Sequence, residues 1–330
     1  MKKSTFLMHS HESLKNLIES HFANFPFDSL SPQNLYEPMS YILKMKGKRI
    51  RPILTLMAYK AVSGDEIDRA LNLASGVELF HNFTLMHDDI MDKAPVRRGK
   101  PTVHKVWNTD IAILSGDAMF AYSMGLIMQG FEQRAAQLGL EFSKVAMEVC
   151  EGQMEDMDFE ERNDVTIPEY LEMIRKKTAA LLGGCMSLGA IAGGADDRIV
   201  KLFRAFGESL GIGFQLQDDL MDAFPPEGFG KQVGGDILVN KKTFLVLKAL
   251  ELAEGKEKTE LEFLLSTPED HPDKVEKVLT IFRKLDIENH TAILIKKYFD
   301  EARTMSKELG DLTDFEALKE YLQSIFKRKL

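Results

Sequence analysis

Residues 71–92 read LNLASGVELFHNFTLMHDDIMD, and their pattern decides the fold. Across residues 69–92, Leu73, Val77, Phe80 and Thr84 recur at steps of four, three and four, which is the helical period. The same spacing runs through residues 142–157, 202–216 and 243–252, while Val/Ile/Thr runs joined by hairpin turns are missing. Breaks fall at Pro26, Pro32, Pro52, Pro95, Pro168, Pro226 and Pro268. None is a long Gly/Ser linker, so the expectation is an all-α chain forming one domain over residues 1–330. The stretch 255–284 is the most charged and is expected to form peripheral helices and loops.

The chain has 330 residues, with 42 basic and 51 acidic side chains and a formal charge of −9. Hydrophobic residues make up 44% and charged residues 28%, enough for a core and a soluble surface, which argues against disorder. Net acidity argues against a general nucleic-acid binder, which needs a basic face. Cys150 and Cys185 are too few for a disulfide framework and too far apart for a zinc motif, so a reducing cytoplasm fits. The start, with Lys2 and Lys3, reaches His9, His11 and Glu12 before any apolar run develops, so no export is expected. Residues 178–195 are uncharged, but their length and five glycines favour a buried core helix over a membrane span.

One short pattern occurs twice: Asp88-Asp89-Ile90-Met91-Asp92 and Asp218-Asp219-Leu220-Met221-Asp222. The flanks differ, so shared chemistry explains the echo better than duplication. On a helix, residues four apart share a face about 6 Å apart, pairing Asp88 with Asp92 and Asp218 with Asp222. Asp89 and Asp219 lie about 100° round the helix. Stacked like charges are unfavourable unless a divalent cation reverses the penalty, and hard carboxylate oxygens suit Mg2+. A single DDxxD reads equally well as a solvated acidic face. Two copies, each following an apolar helical run, favour helix-end sites. Asp196-Asp197 lacks the third acid and reads as a helix N-terminus.

Basic clusters accompany the acids. Gly47-Lys48-Arg49-Ile50-Arg51-Pro52 sets Lys48 and Arg51 three apart, with Pro52 suited to a first helical turn, an arrangement that suits phosphate. Arg97-Arg98-Gly99 follows the first acidic motif across Pro95. Lys176-Lys177-Thr178 precedes the glycine-rich apolar helix, and Lys231 and Lys241 flank a glycine-containing loop after the second motif. Singly each reads as surface charge; together they describe a site for two polyanions bridged by metal. His81 lies seven residues before Asp88, two turns away on the same face, and reads either as a satisfied core histidine or as an anion contact.

GKRIRP, HDDIMD followed by RRGKPT, the KT of KKTAAL, FQLQDDLMD, and GKQVGGDI with Lys241 ten residues after Lys231 together resemble the motif set of the trans-isoprenyl diphosphate synthases. The pattern covers residues 47–243 and looks like the short-chain farnesyl and geranylgeranyl diphosphate synthase type. The resemblance implies a single polyprenyl synthetase domain of the isoprenoid synthase fold, with helices around a central active-site cavity, usually as a homodimer. It implies a prenyltransferase that condenses isopentenyl diphosphate with dimethylallyl, geranyl or farnesyl diphosphate through ionisation, condensation and elimination. Carried over by matching position, Asp88, Asp92 and Asp218 are expected to ligate three Mg2+ ions, with Asp89, Asp219 and Asp222 as accessory acids. Lys48, Arg51, His81 and Arg98 are expected to hold isopentenyl diphosphate. Arg97, Lys177, Gln215, Lys231 and Lys241 are expected to contact the allylic diphosphate, with Thr178 near the allylic cation. The basic ending 326–330 resembles, more weakly, a tail that closes over the homoallylic substrate.

Charge neutralisation makes diphosphate a leaving group, and the cation then needs an apolar, dry cavity. Gln215 and Thr178 offer oxygen dipoles without a strong nucleophile. Phe83 and Thr84 lie about 6 to 7.5 Å deeper along the helix than Asp88, where the resemblance implies a floor for the growing tail, with Met119 and Phe120 as a second layer. Phe83 is expected to stop very long products. Thr84 is smaller than the second aromatic of many farnesyl synthases, and the first motif lacks a two-residue insertion typical of bacterial ones. A C20 product is therefore favoured, with C15 close behind. A terpene cyclase or head-to-head prenyl synthase would not need Lys48, Arg51 and Arg98; an inactive subunit of a heteromeric synthase would not need both acidic motifs intact.

Overall fold

Apolar residues at helical spacing become helices here wherever a cap or a proline starts them. The structure, a computed structural model, describes residues 11–64, 67–226, 233–268 and 271–326. Lys231, the opening residues 1–10 and the basic ending 327–330 lie outside the described residues. Helices account for 81% of the described residues, as the all-α expectation requires. In order they are α1 (His11–Ala23), α2 (Gln33–Leu43), α3 (Ile50–Ser63), α4 (Leu71–Met91), α5 (Val103–Val106), α6 (Thr109–Met128), α7 (Ala135–Glu161) and α8 (Ile167–Ile174). There follow α9 (Ala180–Gly193), α10 (Asp197–Ala223), α11 (Gly235–Leu238), α12 (Phe244–Leu252), α13 (Gly255–Ser266), α14 (Lys274–Lys284), α15 (Ile287–Leu312) and α16 (Glu316–Phe326).

The helix starts follow local chemistry. Pro52 sits in the first turn of α3, Asn108 accepts the Ile111 amide at 2.8 Å to cap α6, and Thr166 with Glu169 forms a capping box on α8. Asp196 accepts the Ile199 amide at 2.9 Å at the start of α10, the helix-terminal role read from the sequence. One element departs from the all-helical reading. Val96–Arg97 (β1) pairs antiparallel with Lys100–Pro101 (β2). Arg98 and Gly99, with φ of 52° and 77°, supply the two positive φ angles that a type I′ hairpin turn demands. Strands of two residues are too short to show alternation.

The chain divides into two compact units, one comprising Met1–Lys144, Gly184–Arg204 and Ser306–Leu330, the other Val145–Gly183 and Ala205–Met305. In the first unit α4 lies along α6, and Phe27, Met39, Leu79, Met86, Val103 and Met119 form a buried cluster. Gly116 of α6 permits the approach of α4, since a Cβ there would stand 2.3 Å from His87 Nε2. Arg49, left-handed at φ 51°, is buried ahead of α3 and donates to Glu78 at 2.8 Å and to the Leu43 carbonyl at 2.6 Å. A buried guanidinium is tolerable only when paired in this way, and its pairing sets the course of the chain between Lys48 and Arg51.

In the second unit Tyr170, Met173, Leu216 and Phe244 belong to one buried cluster, and Leu245, Leu261, Val278 and Phe282 to another. The charged stretch 255–284 is therefore not merely peripheral: Val275, Val278, Leu279 and Phe282 form an apolar stripe on α14 that its many charges conceal in the raw sequence. Residues 179–192 are buried throughout, as expected for a core helix. The one described helix long and apolar enough to cross a membrane is α6, by length and composition only, and it carries Asp117 with its side chain 63% exposed.

Candidate active site

In the first unit, the last turn of α4 presents the acids. Asp88 is half-buried, Asp92 is exposed and Asp89 is buried. Arg97, on β1, donates through Nε to Asp89 at 2.8 Å and stands 3.9 Å from Asp88. His87 turns away from the carboxylates: its Nε2 donates to the Ile113 carbonyl of α6 at 3.1 Å. Two turns earlier, His81 Nε2 accepts from Arg51 Nη1 at 3.1 Å. Because arginine can only donate, His81 must carry its proton on Nδ1 and be neutral. Burial, then the positive fields of Arg51, Arg98, Arg97 and Arg49, push its pKa well below the usual histidine value. The Arg98 guanidinium lies against Gly47, where an added Cβ would stand 3.0 Å from its Nη1, and Lys48 next along the chain is exposed. The fold thus brings Arg51, His81 and Arg98, distant in sequence, together two turns of α4 before the first acidic motif, with Lys48 on the adjoining loop.

Deeper along α4, Phe83 meets Phe120 of α6 with ring centroids 5.4 Å apart. Phe120 in turn stacks on Phe142 at 5.8 Å, and Phe80 packs edge-on against Phe142 at 5.1 Å. Thr84 is half-buried and donates its hydroxyl to the His81 carbonyl at 2.8 Å. Met119 is fully buried in the cluster with Phe27 and Met39, so of the two second-layer candidates Phe120 is the one in ring contact with Phe83.

In the second unit, Arg175–Ala179 forms a π-helical turn between α8 and α9, and Lys177 and Thr178 sit on it. Such turns are rare and recur at functional sites. Gly152 of α7 makes room for it, since a Cβ there would lie 2.2 Å from the Lys177 amide nitrogen. Lys177 Nζ donates to Asp156 at 2.5 Å. Thr178 Oγ1 donates to Gln215 Oε1 at 3.0 Å, and Gln215 Nε2 donates to Asp219 Oδ1 at 2.9 Å. The Tyr170 hydroxyl donates to Asp219 Oδ2. Burial raises Asp219 to about 6 in spite of Tyr170, Lys241 and Gln215, which pull the other way. Asp218 is exposed. Asp222 accepts the Gly235 amide at 3.2 Å and the Asp236 amide at 3.0 Å, so it caps α11 as well as standing beside Asp218 on the helix. Asp236 lies 4.0 Å from Lys241, and its carboxyl is raised by burial against the pull of Lys241.

The donor set suits a hard divalent cation. Asp88 with Asp92, and Asp218 with Asp222, offer carboxylate oxygens one helical turn apart, and the imidazole next to Asp88, that of His87, is engaged elsewhere. Among the described residues no three acidic, histidine or cysteine side chains converge into a ready-made cage. Mg2+ keeps several waters and borrows substrate phosphate oxygens. Sequence reasoning passed over Asp156, Tyr170 and Asp236. Tyr170 precedes Lys177 by seven residues, a helical interval, but the intervening π-turn hides where that interval leads.

Each unit carries an acidic motif near the end of a long helix, accompanied by Arg97 in the first and by Lys177 and Lys241 in the second, a set of groups that suits an all-α enzyme handling diphosphates. A family profile described as polyprenyl synthetase matches residues 32–282. The chain is 35% identical over 323 residues to a geranylgeranyl diphosphate synthase of Saccharolobus solfataricus, covering 96% of this chain and 94% of that one. It is 39% identical over 237 residues to a geranylfarnesyl diphosphate synthase of Natronomonas pharaonis, covering 66% and 69%. A crystal structure of a geranylgeranyl pyrophosphate synthase superposes with a TM-score of 0.88 at 41% identity, over 95% of this chain and 96% of that chain. The chain belongs to the polyprenyl synthetase family and is a trans-prenyltransferase. Enzymes of this family generally use Mg2+.

Proposed function

We propose that this chain, acting as one polyprenyl synthetase domain, condenses isopentenyl diphosphate with an allylic diphosphate to make a short-chain all-trans prenyl diphosphate, C20 favoured and C15 close behind. The observation that carries this reading is the cluster of Arg51, Arg98 and neutral His81, two turns of α4 before Asp88. A cyclase or head-to-head synthase, which ionises one allylic diphosphate without isopentenyl diphosphate, has no use for it. Lys48, Arg51 and Arg98 are assigned to the isopentenyl diphosphate, and His81, holding its proton on Nδ1, can donate to a phosphate oxygen. Arg97, Lys177, Gln215, Lys231 and Lys241 are assigned to the allylic diphosphate; Arg97 and Lys177 hold their positions through Asp89 and Asp156.

Mg2+, three ions by resemblance and held by Asp88, Asp92 and Asp218, would neutralise the departing diphosphate as its C–O bond breaks. Asp89 and Asp219 position rather than ligate, one binding Arg97 and the other Gln215 and Tyr170; Asp222 is an accessory acid beside Asp218 that also caps α11. Thr178 and Gln215 face the allylic cation with oxygen dipoles. The double bond of isopentenyl diphosphate attacks C1, and the proton then lost passes to the departing diphosphate, so no protein nucleophile is required. Phe83, backed by Phe120 and Phe142, is the floor that ends elongation. Relatives with different products are about equally similar, so a few such residues, not overall identity, set length.

A second copy of the chain is the proposed partner, since α6 leaves Leu114 60% exposed with Ile113 beside it and α7 leaves Leu140 exposed. Two cysteines without a disulfide support a cytoplasmic location. The test is incubation with Mg2+, isopentenyl diphosphate and each of dimethylallyl, geranyl and farnesyl diphosphate, followed by phosphatase treatment. Elongation of none of the three refutes the reading, and the longest alcohol recovered establishes the product.

A further inference from the structure

The hydrogen bonds in the second unit form a chain with a fixed sense. An ionised carboxylate only accepts. Asp219 is 4% exposed and receives protons from two sides, the Tyr170 hydroxyl at Oδ2 and the Gln215 amide at Oδ1. The Gln215 amide is thereby oriented with its NH2 group toward Asp219 and its oxygen toward Thr178. Thr178 must then commit its single hydroxyl proton to Gln215 Oε1, at 3.0 Å. Its lone pairs remain free, so the hydroxyl presents a negative dipole and no labile proton. Were the amide reversed, its NH2 would occupy the Thr178 hydroxyl's lone pair and release that proton, and the dipole would change sign.

Tyr170 is 1% exposed and belongs to the buried cluster of α8, α10 and α12 side chains, well placed to hold Asp219 in one rotamer. We propose that Tyr170 is a positioning residue that, through Asp219 and Gln215, fixes the orientation of the Thr178 hydroxyl toward the allylic cation. The inference rests on the proposed ionisation reaction and adds to it a residue that touches no substrate.

The test is Tyr170→Phe in the full-length protein with Mg2+, isopentenyl diphosphate and geranyl diphosphate. Three quantities are measured: kcat, KM for each substrate, and the share of geranyl diphosphate appearing as free alcohol, formed when water adds to C1 of the cation and loses its proton. The expected result is a kcat lower by roughly 10- to 100-fold, the scale typical of lost supporting hydrogen bonds, with both KM values unchanged and a larger alcohol share. Tyr170→His, which keeps one donor, should recover part of the rate and lower the alcohol share. In a Gln215→Met background the Tyr170→Phe change should have no further effect, because both break one chain. Wild-type kcat and alcohol share in Tyr170→Phe overturn the inference. So do losses that add to those of Gln215→Met, or a loss accompanied by collapse of the helical circular dichroism, which marks a structural role. A wild-type protein that elongates nothing overturns the functional reading itself, a result distinct from any of these.

Discussion

In each acidic motif the middle aspartate is buried, Asp89 to 2% and Asp219 to 4% exposure, while Asp88, Asp92, Asp218 and Asp222 keep contact with solvent. The physical division is between acids that can reach a cation and acids that hold other side chains. Asp88→Ala and Asp218→Ala are each expected to abolish turnover while leaving far-ultraviolet circular dichroism unchanged; near-normal activity in either refutes the ionisation model. His81 gives a pH prediction. Its folded pKa is depressed below 6.5 by burial and four guanidiniums, so its contribution to stability is present above that value. As pH falls the unfolded chain takes up a proton that the folded one resists, and stability is lost. The wild type should therefore lose more denaturant stability than His81→Gln between about pH 7.5 and 5.5, and parallel losses would show that His81 is not held neutral.

At the scale of elements, two helix contacts set the candidate chemistry. Along α4 and α6, Phe83 rests on Phe120, which rests on Phe142. Phe83→Ala is expected to shift the longest alcohol by at least one five-carbon unit, and Phe83→Ala with Phe120→Ala further; an unchanged product would place the floor elsewhere. The other contact is α7 against the π-turn. Gly152→Ala would put a methyl 2.2 Å from the Lys177 amide, and backbone cannot yield as a flexible side chain does. Overpacking of this kind typically costs about 1–3 kcal/mol. Gly152→Ala should lower the thermal midpoint and also kcat, since Lys177 and Thr178 move with the turn. Loss of stability with full kcat would separate the turn from the chemistry.

For the molecule as a whole, the charge of −9 counts less than its distribution. Six of the acids fall in two motifs suited to cations, and the arginines gather beside the first of them, so net acidity is compatible with diphosphate substrates. The exposed apolar residues of α6 lead to a prediction on assembly. Leu114→Glu, with Ile113→Glu, should lower the mass seen by light scattering from that of a dimer toward that of one chain, because a buried carboxylate opposes association. A wild type already of single-chain mass would refute the proposed partner.

The helical period around Leu73, Val77 and Phe80, the acid pairs at i and i+4, and the prolines at helix starts are local properties, and local properties are legible in sequence. They were enough for the all-α class, for both acidic motifs and for the family resemblance. The hairpin at Arg98-Gly99 escaped because two residues are too short for a period, and the core stripe of α14 because its charges mask it. What only tertiary structure decided is pairing across distance: Arg51 with His81, Lys177 with Asp156, and Tyr170 with Asp219. A side chain's protonation and orientation depend on which distant group the fold brings within hydrogen-bond reach, and helical periodicity carries no information about that.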